Sequence, residues 1–110
     1  MASTAVEQSI SIASVSADLP ILREATTSRV VVNNDVLRVV DFVFDAGQLL
    51  TEHASPKAVV VTLLEGEMEF DVAGKTTLLS DGGMIYLAPG ERHALRAVTH
   101  CRMRLVMVNV

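Results

Sequence analysis

The sequence predicts an all-β domain of antiparallel strands, and three observations carry the prediction. From Arg29 onward, β-branched and aliphatic runs of strand length alternate with turn signals: "RVVV", "VLRVVDFVF", "AVVVTLL", "MEFDVAGK", "TTLL" and "MIYLA" are separated by "NND", "DAG", "EGE", "SDGG" and "PGE". The gaps between runs are too short for the crossover helices of a parallel sheet, so the strands should close into a barrel or sandwich. In "EMEFDVAG", Glu67, Glu69 and Asp71 alternate with Met68, Phe70 and Val72, which puts charge on one face and apolar bulk on the other.

Taken in order, residues 1–28 are the least patterned, rich in Ser, Thr and Ala with one proline at Pro20. A partly ordered N-terminal segment is expected there, with one strand near "SISIASV" that can serve dimerisation. The β-barrel domain is placed at 29–110. Its "AVVVTLL" run is apolar at nearly every position, so both faces should be covered, within the domain or by a second subunit. The glycines Gly66, Gly74, Gly82, Gly83 and Gly90 fall at the turns between runs, where positive φ favours them. They form no phosphate loop, because no helix follows them.

A chain of 110 residues supplies one core, and half of its residues are hydrophobic, which is enough to fold without a disulfide framework. A net charge of -4 argues against nucleic acid as a partner, since phosphate binding needs clustered Lys and Arg. No run approaches the ~20 apolar residues of a membrane span, and the start lacks the basic and apolar regions of a secretory signal. The lone Cys101 is read as a small apolar side chain. A cytoplasmic protein that engages neither nucleic acid nor membrane is expected.

The candidate site rests on two histidines. Gly47, His53, Ser55, Val59 and Gly66 stand at the spacings of the pattern GxxxxxHxHxxxExxxxxxG, and "GMIYLAPGERHALRA" resembles GxxxxxPxGxxHxxxN, with Gly83 and Pro89 in register, His93 one residue early and, counted from His93, Ala97 where the pattern has Asn. These are the two motifs of the cupin superfamily, and from about Asp35 to Val108 the chain resembles its small single-domain members. The resemblance implies a double-stranded β-helix, or jelly-roll barrel, commonly dimeric, with any site in the barrel mouth.

In that family the metal is held by two histidines and a glutamate of the first motif and the histidine of the second. Only His53 and His93 match here; Ser55 and Val59 take the other two positions. Two neutral imidazoles make an incomplete site, since zinc and iron centres typically use about three protein ligands, so no cofactor is assigned beyond a weakly held divalent ion (Zn, Mn, Fe or Ni). Glu52 does not supply the missing ligand, because adjacent strand residues face opposite ways.

His53, Ser55 and His93 are therefore read as the polar groups of a small-molecule pocket, with Ser55 on the His53 face if both lie in one strand. Tyr86 joins them as a candidate pocket hydroxyl, its facing left open by its alternation with Met84 and Ala88. His100 reads as a surface turn residue, and Met84, Met103 and Met107 as packing. The first functional reading is a homodimeric binding module for a small molecule; the alternative is a metal-dependent oxygenase, isomerase or lyase, and an interaction protein ranks third.

Overall fold

The computed structural model describes residues 3–109. Nine strands follow one helical turn, α1 (Val15–Asp18): β1 (Thr26–Asn33), β2 (Leu37–Phe44), β3 (Leu49–His53), β4 (Ala58–Glu65), β5 (Met68–Val72), β6 (Lys75–Leu79), β7 (Met84–Leu87), β8 (His93–Ala97) and β9 (Cys101–Val108). They form two antiparallel sheets, a larger one in the order β1-β2-β9-β4-β7 and a smaller one in the order β3-β8-β5-β6. The two sheets face each other as a jelly roll.

Alternation decides which side chains meet between the sheets. From the larger sheet come Phe44, Val59, Val61, Leu63, Leu87, Cys101 and Met103; from the smaller come Met68, Phe70, Leu79, Leu95 and Ala97. Met68 and Phe70 are buried while Glu69 and Asp71 face outward, as the "EMEFDVAG" pattern requires. In β4, Val59, Val61 and Leu63 are buried and Val60, Thr62 and Leu64 half-buried, so the run that reads as apolar on both sides is fully covered on one.

Four differences from the sequence reading have physical reasons. The barrel's first strand begins at Thr26, three residues before Arg29, because Thr26, Thr27 and Ser28 pair with Phe44, Val43 and Phe42 of β2. Among the described residues "SISIASV" forms no strand: Ile10 and Ile12 remain 40% and 39% exposed, without the neighbour that a strand needs. Met84 does not pack in the core; Ile85 and Leu87 take the inner face of β7, leaving Met84 and Tyr86 outside. Asp41, unremarkable in the sequence, is wholly buried on the outer face of the larger sheet, where Arg104 donates to both of its oxygens at 2.7 and 2.9 Å and Arg29 approaches to 3.7 Å.

No helix among the described residues is long and apolar enough to cross a membrane.

Candidate functional site

The site is built on β3 and β8, the first two strands of the smaller sheet. Leu50 lies opposite Leu95 and His53 opposite His93, so three steps along β3 answer two along β8. The extra residue is a β-bulge, and it changes the face on which His53 emerges. Strict alternation from the core-packed Leu50 would send His53 outward; with the bulge it shares the inner face with its partner His93.

His93 is 7% exposed, whereas His53 lies at the exposed rim. Their ring centroids are 4.2 Å apart with planes inclined by 59°, and Phe70 lies nearly parallel to the His93 ring at 5.9 Å. The structure thus brings the two motif histidines together over an aromatic floor.

Each ring is held at one nitrogen. His53 Nδ1 is 2.8 Å from the Thr51 carbonyl oxygen and His93 Nδ1 is 3.0 Å from that of Glu91. A carbonyl only accepts, so both Nδ1 atoms carry the proton and donate, which leaves the Nε2 lone pair of each neutral ring open. Burial depresses the His93 pKa and the neighbouring His53 depresses it further, while the Glu91 carbonyl works the other way. The ring whose protonation burial opposes lies deep in the barrel.

The other sequence candidates lie elsewhere. β3 ends at His53, so the two-residue alternation that would put Ser55 on the same strand face does not apply. Ser55 sits in the following turn, where its Oγ accepts from the Lys57 N–H at 3.2 Å and its carbonyl accepts from Gly90 at 2.7 Å. Its work there is to tie the β3–β4 loop to the β7–β8 loop beside the histidines. Tyr86 is 59% exposed on the outer face of β7, in the opposite sheet. His100 is an exposed turn residue, 3.7 Å from Glu65.

The donor set does not fit a resident metal. Val59 is buried, with Leu87 and Met107 as its cross-strand neighbours, and offers no lone pair. Glu52, exposed beside His53, accepts from Arg92 at 2.9 Å. Among the described residues no group of three or more His, Cys, Asp or Glu side chains is placed to hold an ion. Two imidazoles remain, fewer than the usual three protein ligands of a zinc or iron centre.

Phe70 and the Asp71–Ala94 register, which position this site and its surroundings, escaped the sequence reading, although the alternation of "EMEFDVAG" already put Phe70 on the inner face. Two surface clefts, of about 300 and about 530 Å³, are lined by residues other than the histidine pair.

A family model described as a cupin domain matches residues 40–109. No curated protein gives a match. Among solved structures, a conserved protein of unknown function from Streptococcus pyogenes is 28% identical and superposes with a TM-score of 0.85, covering 100% of this chain and 96% of that one. A cupin superfamily protein from Desulfitobacterium hafniense is 14% identical with a TM-score of 0.82 over 87% of this chain and 88% of its own, a likeness of fold. Salicylate 1,2-dioxygenase from Pseudoaminobacter salicylatoxidans is 19% identical with a TM-score of 0.73, covering 80% of this chain and 27% of that larger one. With its motif histidines paired at one end of a two-sheet jelly roll and the family model spanning most of its strands, this chain belongs to the cupin family.

Proposed function

We propose that this cupin binds a small organic molecule at the His53–His93 rim and recognises it without a resident metal. One observation carries the reading: both imidazoles are held at Nδ1 by backbone carbonyls, so each offers its Nε2 as an acceptor. The complementary ligand donates hydrogen bonds, as a hydroxyl or N–H group does, and has a flat apolar body to lie against the exposed His53 ring, with His93 and the buried Phe70 behind it. A ligand that only accepts leaves two lone pairs unanswered. The enzyme alternative needs a third metal ligand, and Val59 in the core cannot provide one.

Phenol and anisole separate the terms, because they share the ring and differ in the O–H donor. Titration into the protein, followed by the ring C–H signals of His53 and His93, should show saturable shifts of both with phenol and much weaker ones with anisole. In His53→Phe combined with His93→Phe, the saturable phenol shifts of the backbone amides flanking these positions, seen in the parent, should be lost. Equal binding of the two ligands, or no shift of either histidine, overturns the reading. Elemental analysis is the second measurement: a stoichiometric ion whose chelation lowers Tm would favour the metal enzyme instead.

A further inference from the structure

We propose that the outer face of the smaller sheet carries a second ligand site, a groove for a primary ammonium ion with a short apolar tail. The groove lies on the opposite face of β8 from the His93 and Leu95 side chains, has a volume of about 300 Å³ and is open to solvent along its length. It is distinct from the histidine rim, since successive residues of β8 point to opposite faces.

Its shape follows from the register. Ala94 stands opposite Asp71 of β5, and on its other side the β3 bulge brings Thr51 alongside; Thr76 of β6 completes the row across from Asp71. A methyl group at the centre of a row of longer side chains makes the floor. One step along the strands, Leu49, 56% exposed, pairs with Arg96 and forms an apolar wall.

Electrostatics choose the ligand's sign. Arg96 is already engaged, donating through Nε at 2.8 Å and through Nη2 to Oε1 of Glu69. That ion pair leaves Asp71 as the uncompensated charge of the groove. Asp71 Oδ1 is covered by protein and has no hydrogen-bond partner among the described residues, so this carboxylate bears a desolvation cost that no donor repays. A cation at the open side of the carboxylate offsets that cost by charge without touching Oδ1.

An ammonium group matches in number as well as sign. It brings three N–H donors, and the groove offers the Asp71 carboxylate with the hydroxyls of Thr51 and Thr76 as acceptors. A short alkyl tail then covers Ala94 and Leu49. An anion meets a net negative groove, and a neutral alcohol brings one donor and no charge.

The test uses n-butylammonium chloride, with 1-butanol, sodium butyrate and sodium chloride as comparisons, titrated into the 15N-labelled protein. The amine alone should give saturable shifts, centred on Thr51, Asp71, Thr76 and Ala94, with a Kd in the millimolar range expected for so small a contact. Asp71→Asn should weaken it about tenfold or more, the scale of a charge-assisted hydrogen bond. Ala94→Leu, which fills the floor and keeps the carboxylate, should abolish it, and decides the matter alone if the first variant does not fold. His93→Gln should bind as the parent does. Non-saturating shifts, an equal response to butanol, butyrate or sodium, unchanged affinity in either groove variant, or shifts mapping to His53 and His93 would overturn the proposal.

Discussion

At the scale of single residues, His93 shows how position turns a common side chain into a specific one. Burial disfavours its cation and the nearby His53 ring adds to the effect, so its pKa lies below the ordinary imidazole value of 6.5. The sign of the consequence follows from linkage: as pH falls through about 6.5 the unfolded chain takes up a proton that the folded chain resists, so stability present above that pH is lost below it, until the folded-state pKa is passed. Tm measured against pH should therefore fall more steeply below about pH 6.5 in the parent than in His93→Gln, where this titration is gone. Parallel curves would mean that His93 is not held neutral by the fold. His53 and His93 were legible because motif spacing marks them whatever the local geometry. The roles of Ser55 and Tyr86 were not: one depends on where β3 stops, the other on which face of β7 the core claims, and neither is written in the spacing of polar residues.

At the scale of elements, most strands were legible because the half-buried ones alternate and the turns carry glycine, asparagine or aspartate. The bulge in β3 was hidden. "LLTEH" contains no residue that demands an extra position, and only the pairing of Leu50 with Leu95 and His53 with His93 reveals the offset that turns the site inward. The ion cluster at Asp41 was hidden for a related reason: "VVDFVF" places an acid on the outer face, and nothing nearby says that Arg104, 63 positions away, will lie beside it. Its cost when broken can be stated. Asp41→Ala leaves Arg104, whose side chain is 32% exposed, and Arg29, 28% exposed, facing each other over a covered sheet. Partial solvent contact moderates the penalty, so about 2–3 kcal/mol is expected, somewhat below the loss for a fully buried pair. Urea denaturation measures it, and a change under about 0.5 kcal/mol would show that the cluster is merely tolerated, as surface pairs often are.

At the scale of the whole molecule, the larger sheet leaves an apolar stripe that its own chain covers only in part. Val106 of β9 pairs with Val60 of β4, and Val60 with Tyr86 of the edge strand β7; Met84 follows two residues before Tyr86. Val60 and Val106 are half-buried, and Tyr86 and Met84 are 59% and 55% exposed. A contiguous apolar surface at a sheet edge is where a second copy gains most, since it removes hydrocarbon from water and covers unpaired strand groups at once. A homodimer packed on this face is the expected assembly, with Tyr86 as a contact residue. Light scattering at micromolar protein should give twice the 11.8 kDa chain mass. Tyr86→Glu, which sets a carboxylate in the stripe without entering the core, should halve that mass while its Tm stays well above ambient and the phenol response of His53 and His93 is kept. A monomeric parent would refute the dimer. A dimeric Tyr86→Glu would move the contact to another edge, and a monomeric variant that also loses the phenol response would return Tyr86 to the binding site.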